Sequence, residues 1–169
     1  MEASADRLVL EPGEGRSTRL GSIGVDFKLW GEQTGGAFSV VEHPVDPRGM
    51  VPPHLHAQED EFSYVLEGEI GARVGDVELT VGPGAYVAKP RGILHTFWNP
   101  TDEPARILEI ISPAGFENYF VELGEYFTSV GNGQRDPARI AEIAGRYDLA
   151  FDFSWIPELA EKHGLNAPM

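Results

Sequence analysis

The sequence predicts an all-β domain of two antiparallel sheets followed by a helical C-terminal segment, and three observations carry that reading. Between Val25 and Ile111, short runs of β-branched and aromatic residues alternate with Gly and Pro at the spacing of an antiparallel sandwich or barrel. After Ser112-Pro113 the period changes: Phe116, Tyr119, Phe120, Leu123 and Phe127 recur as the apolar stripe of an amphipathic helix. The chain has 169 residues, 41% of them hydrophobic, which makes one domain with enough apolar surface to close a core.

Each element follows in order. Residues 1–24 are rich in Gly, Ser, Arg and Glu, with one apolar run at Leu8-Val9-Leu10, and are expected to form an arm holding a single strand. Residues 25–113 are expected to form the barrel. Its clearest part runs from Glu61 to Leu66, Glu69 to Val74 and Val77 to Val81, strands separated by the tight turns Glu67-Gly68 and Gly75-Asp76. Strand alternation places Ser63 and Val65 on the side of Glu61, and Phe97 and Asn99 on the side of His95. Residues 114–169 are expected to be a helical extension packed on the barrel. Asp136 is suited to cap a second helix with Pro137 at its first position and Ile140, Ile143, Ala144 and Tyr147 on one face. A third short helix is expected from Pro157 to about His163. Gly131 to Gln134 reads as a loop, and no internal repeat is present.

Composition excludes several function classes. The formal charge is −14, from 27 acids against 13 Lys and Arg, so nucleic acid and anionic membrane would both repel the chain. There is no cysteine, which removes disulfides, thiolate metal sites and cysteine nucleophiles together. The N-terminus lacks the basic start and apolar run of a signal peptide, and about 18 consecutive apolar residues occur nowhere. A soluble, cytoplasmic protein acting on a small neutral or metal-chelating molecule is the expectation.

Two clusters carry the chemistry: His54-Leu55-His56-Ala57-Gln58-Glu59-Asp60-Glu61, and Pro90-Arg91-Gly92-Ile93-Leu94-His95. His54 and His56 stand two apart, so on an extended strand both imidazoles point to one face, as chelation of one ion requires. Glu61 has the opposite parity, which the polar turn from Ala57 to Asp60 resets. His95 must arrive from a distant strand. Three imidazoles and a carboxylate suit divalent ions from manganese to zinc and leave open positions for a substrate or O2.

The wider spacing reads Gly49-x4-His54-x-His56-x4-Glu61-x6-Gly68, then Gly84-x5-Pro90-x-Gly92-x2-His95-x3-Asn99. It resembles the two motifs of the cupin superfamily. The second block matches throughout; the first has four residues between Gly49 and His54 where the family usually has five. The resemblance spans roughly residues 37–113 and implies a jelly-roll β-barrel. It also implies one divalent metal ion (Ni, Mn, Fe, Co or Zn) on His54, His56, Glu61 and His95. It selects Glu61 over Glu59 and Asp60, which read as solvated turn charges. Length and the tail, notably Gly115-Phe116-Glu117-Asn118-Tyr119-Phe120-Val121-Glu122-Leu123-Gly124, resemble small single-domain quercetin dioxygenases, in which the motif glutamate also accepts the substrate's hydroxyl proton, so Glu61 would be ligand and general base. Ser63, Val65, Phe97 and Asn99 are then the expected walls of the substrate pocket. The same ligands also serve isomerases, decarboxylases and lyases acting on small hydroxy or keto acids, and a non-enzymatic binding protein is a third possibility.

Other residues receive plainer readings. His43 is expected to face solvent, His163 to complement the end of a helix, and Lys89 and Arg91 to be the nearest cations, facing solvent. The stripe from Phe116 to Phe127 reads as core or as the pocket entrance. Phe62, Tyr64 and Leu66, opposite Glu61 in parity, are expected to pair two copies as a homodimer, and Trp30 and Trp98 fit either surface.

Overall fold

A computed structural model describes residues 9–131, 133–166 and 168. Among the described residues, eleven strands form two wholly antiparallel sheets. The first six in chain order are β1 (Ser17–Leu20), β2 (Ile23–Leu29), β3 (Ser39–Val45), β4 (His54–His56), β5 (Asp60–Glu67) and β6 (Ile70–Val74). They are followed by β7 (Val77–Val81), β8 (Tyr86–Lys89), β9 (His95–Trp98), β10 (Ala105–Ser112) and β11 (Leu149–Phe151). The six-stranded sheet has the order β1-β2-β3-β10-β5-β8, and the five-stranded sheet the order β11-β4-β9-β6-β7. No strand belongs to both sheets, so the expected barrel is a pair of facing sheets rather than a closed hydrogen-bonded cylinder.

Alternation decides what goes inside. Val65, Ile107 and Val87 from one sheet meet Ile70, Ala72 and Phe97 from the other in a shared core. On the outer side of β9, Trp98 is fully buried with Met50 beneath Leu159 and Leu165. Trp98 is therefore a core residue, whereas Trp30 stacks on Phe27 with ring centroids 4.6 Å apart.

Three α-helices follow β10 among the described residues: α1 (Glu117–Val130), α2 (Pro137–Gly145) and α3 (Ile156–His163). The Asp136 side chain accepts a hydrogen bond from the Ala138 N–H at 2.9 Å and satisfies an otherwise free donor, as the local sequence predicts. Phe116, Tyr119, Phe120, Leu123 and Phe127 pack on Val25, Phe27, Val41 and Ile111, so α1 closes one end of the space between the sheets. Its close approach to β1 depends on Gly124, where a Cβ would lie 2.1 Å from Thr18 Oγ1. Helix α3 is tied to β7 by Lys162 and His163, each 2.8 Å from Glu78.

Two expectations about the ends change. The strand of the N-terminal arm is Ser17–Leu20, while Val9 and Leu10 are exposed and outside any strand; Leu8 lies outside the described residues. The C-terminal segment also contains β11, which pairs with β4 through Leu149↔His56 and Phe151↔His54. Three residues are too few to show a period, so only the pairing reveals this strand. Among the described residues, no helix is long and apolar enough to cross a membrane.

Gly71 supplies a direct test of the packing. It lies opposite Trp98 across β6 and β9, and a Cβ there would stand 2.1 Å from the indole Nε1. Gly71→Ala should lower unfolding free energy by about 1–3 kcal/mol, the usual cost of overpacking, measured by urea denaturation. An unchanged midpoint would contradict this packing.

Candidate metal centre

The site is built across both sheets. Strand β4 presents His54 and His56 to one side, and His54 faces His95 of β9 in the ladder, their ring centroids 4.4 Å apart. Glu61 comes from β5 in the other sheet. One ligand atom from each of the four residues lies within 4.8 Å of the others, and all four side chains are buried.

The residues around the quartet fix its orientation. His54 Nδ1 lies 2.7 Å from the Pro52 carbonyl and His95 Nδ1 2.9 Å from that of Ile93. A carbonyl only accepts, so both Nδ1 atoms donate and both Nε2 atoms keep lone pairs. His95 Nε2 nevertheless sits 3.2 Å from Glu61 Oε2, so both of its nitrogens face acceptors. A neutral imidazole can satisfy only one of them, and a cation between Nε2 and the carboxylate satisfies the rest. His56 makes the same demand: Nε2 is 3.3 Å from Glu61 and Nδ1 3.5 Å from Glu59, yet neither buried nitrogen makes a hydrogen bond. Four convergent N and O donors, with the His56 nitrogens making no hydrogen bond, fit a divalent ion.

Charge explains the titration of the group. Burial and the neighbouring His95 and His56 hold His54 well below the usual imidazole range. Burial also opposes protonation of His56, but Glu61 and Glu59 outweigh it and lift the group to about 9. Burial would raise Glu61, and Lys89 together with His56 overcomes it and keeps the carboxylate ionised.

Lys89 is the largest surprise. It was expected to face solvent, but β8 turns it inward, where it lies fully buried 3.0 Å from Glu61 and 2.7 Å from Glu109. Ser63 Oγ donates to the same Glu109 oxygen at 2.9 Å. Burial pushes Glu109 up to about 7 against the pull of Lys89. The signal for both was parity: Lys89 follows Val87, and Glu109 stands between Ile107 and Ile111 in the buried phase of its strand. Two other sequence expectations also fail. Glu59 is buried against His56 rather than solvated, and His43 is 3% exposed within β3. Asp60 and Arg91 do stay at the surface, where they pair at 2.7 Å and Asp60 also accepts from the Arg91 N–H. That pair anchors the turn leading to His95.

A cavity adjoins the quartet, lined by His54, Glu61, Phe97, Phe116, Tyr119 and Phe120 among others. Phe97 is the one expected wall residue that reaches it. Ser63 is occupied by Glu109, Val65 is packed in the shared core, and Asn99 bonds to the Val45 and Glu103 carbonyls. Parity gave each of them a face but not its depth along the fold. The aromatic stripe of α1, left open between core and entrance, serves as both. No Arg or Lys is among the described residues that line the cavity.

Two facing antiparallel sheets with a three-histidine, one-glutamate cluster at the seam define the class, a double-sheet β-domain built around a candidate metal centre. Residues 42–111 match the Cupin domain family, so that stretch of the chain is similar to cupins, and the two-sheet fold is shared with the solved structures below. Two germin-like proteins of Arabidopsis thaliana, subfamily 2 members 2 and 3, are 36% identical over 69 residues. Those matches cover 37% of this chain and only 31% of the relatives' length. Among solved structures, KdgF from Halomonas sp. is 16% identical with a TM-score of 0.56, over 64% of this chain and 96% of that one. A sugar phosphate isomerase of Silicibacter pomeroyi is 25% identical with a TM-score of 0.54, over 62% and 74%. A predicted oxalate decarboxylase from Thermotoga maritima gives 19% and 0.58, over 62% and 98%.

Two predictions follow from these charges. An imidazole must shed its proton to bind metal, and His56 holds one up to about pH 9. Metal affinity should therefore rise from pH 7 to 9 and then level off, and calorimetry in buffers of different ionisation enthalpy should detect a proton released at pH 7. Zero release would contradict it. Lys89→Met should destabilise the metal-free protein by about 3–5 kcal/mol, because it leaves two buried carboxylates without their cation. The loss should be smaller with saturating metal, since the ion takes over the neutralisation of Glu61; equal losses in urea titrations would contradict that role.

Proposed function

We propose that the protein is a metal-dependent dioxygenase that takes a flavonol-like or other enolic hydroxy-carbonyl compound and O2. The observation that carries this reading is the pairing of the ligand quartet with an aromatic cavity that no Arg or Lys lines among the described residues. A small anionic acid would want a free cation there, and the nearest two are already engaged, Lys89 by Glu61 and Glu109 and Arg91 by Asp60.

A divalent ion on His54, His56, Glu61 and His95 would supply Lewis-acid activation of the enolic oxygen and a place for O2. The chain supplies the rest. Glu61, kept ionised by Lys89, can take the substrate's hydroxyl proton on a carboxylate oxygen. Phe97, Phe116 and Phe120 exclude water and present apolar faces to a planar ring. Glu109 and Ser63 hold Lys89, and through it the orientation of Glu61.

A second reading, non-redox isomerase or lyase chemistry, is favoured by the likeness to the sugar phosphate isomerase. The lack of a cation on the cavity wall weighs against a phosphorylated substrate. Glu61→Gln separates the readings from simple binding: flavonol turnover should fall about 100-fold or more, while metal content, measured on the same samples, falls far less. Oxygen uptake with CO release would support the dioxygenase; product without oxygen uptake would favour the isomerase or lyase. A metal-loaded wild type that consumes no oxygen with any enolic compound in a flavonol panel would sink the dioxygenase reading.

A homodimer is proposed as well. The register sets Phe62 beside Ile110 and Tyr64 beside Tyr86 on the outer face of the six-stranded sheet, where Phe62 and Tyr86 remain 43% and 79% exposed. Sedimentation should give the mass of two chains, and Tyr86→Glu should shift it toward one; a wild type that sediments as a single chain at every concentration would remove the proposal.

A further inference from the structure

One buried polar group of the cavity has no part in the metal chemistry. His43 stands between Val41 and Val45 in the inward phase of β3, 3% exposed, and lines the same cavity as His54 and Glu61. Its Nδ1 lies 2.9 Å from the Gly24 carbonyl. The carbonyl can only accept, so Nδ1 carries the hydrogen and Nε2 keeps a lone pair. The rings of Phe120 and Phe97 flank it at 5.5 and 6.1 Å, and no donor among the described residues reaches Nε2. Burial pushes the group down to about 4, against the Gly24 bond and with the charge of Lys89, so near pH 7 the ring is neutral. A pinned acceptor in an aromatic cavity calls for an O–H or N–H from the ligand. A residue there only to pack would be better as Phe or Leu, which bring no polar atom to an apolar cavity wall.

We propose that His43 sets specificity: its Nε2 accepts a hydrogen bond from a ring hydroxyl of a substrate whose enolic hydroxy-carbonyl group reaches the His54, His56, Glu61 and His95 centre. The substrate class narrows to phenolic compounds bearing that enolic group, and the inference rests on the proposed function for the enolic part. A site that hydrogen-bonds a hydroxyl discriminates against the analogue lacking it, because the acceptor is then left buried and unpaired.

The test is binding without turnover. Zinc-loaded protein, whose ion does no redox chemistry, is titrated anaerobically with 3-hydroxyflavone, which carries the enolic group alone, and with quercetin, which adds ring hydroxyls. Wild type should bind quercetin about tenfold more tightly, and His43→Phe should abolish that preference by weakening quercetin only, at unchanged zinc content. His43→Gln keeps a donor for Gly24 and an acceptor for the ligand, and should retain part of the preference. If the phenylalanine variant does not fold, His43→Leu carries the same comparison. Equal affinities in wild type, a preference that survives His43→Phe, a preference lost in Tyr119→Phe instead, or no binding of either probe would overturn the assignment. Oxygen uptake is measured separately on iron- or nickel-loaded protein: its absence, with the preference intact, defeats the dioxygenase reading and leaves the role of His43 standing.

Discussion

A carboxylate removed from water at the seam of two sheets is the constraint on which the rest of this structure depends. Glu61 has almost no solvent access, and an unpaired buried charge would be prohibitive. The fold answers from both sides. The five-stranded sheet brings His56 and His95 within 3.3 Å of the carboxylate oxygens, and the six-stranded sheet brings Lys89 to 3.0 Å. Glu109 then balances Lys89. Removing any one of these groups leaves its neighbour uncompensated, so the cluster couples the geometry of the two sheets to its own protonation and to the ion it can bind.

The surrounding elements serve that geometry. The three residues of β4 would be a weak strand alone; β11 on one side and β9 on the other hold them in register. The Arg91–Asp60 pair and the bond from the Gly92 N–H to the His56 carbonyl, at 2.8 Å, join the two ligand-bearing segments. Helix α1 then covers the open end, and its aromatic stripe becomes both core and cavity wall. The C-terminal segment therefore stabilises the site through β11 and shapes it through α1.

Much of this was legible in the sequence because local rules wrote it. The hairpin from Ile70 to Val81, the Asp136 cap and the third helix follow from turn chemistry and period, and the ligand quartet from the resemblance of its spacing to the cupin motifs. What escaped depends on the third dimension. Alternation showed that Ser63 and Val65 share a face with Glu61, but not that Glu109 and the core would take them away from the cavity. Lys89, Glu109, Glu59 and His43 were read as surface charges or passed over, because a charged or titratable residue in a strand is usually solvated. Three of them stand in an inward phase beside apolar neighbours, at Val87-Ala88-Lys89, Ile107-Leu108-Glu109 and Val41-Glu42-His43, and that pattern is the signal worth weighing. Nothing local could have marked Glu59, which is inside only because the turn after β4 folds back on His56.

The claim that the quartet is a metal centre is tested most directly by X-ray absorption at the edge of the bound metal, on protein loaded with one equivalent. The account predicts three imidazole nitrogens with their outer-ring scattering and at least one oxygen ligand, falling to two imidazoles in His56→Ala. A spectrum with no imidazole scattering, or one that is the same in wild type and His56→Ala, would contradict it.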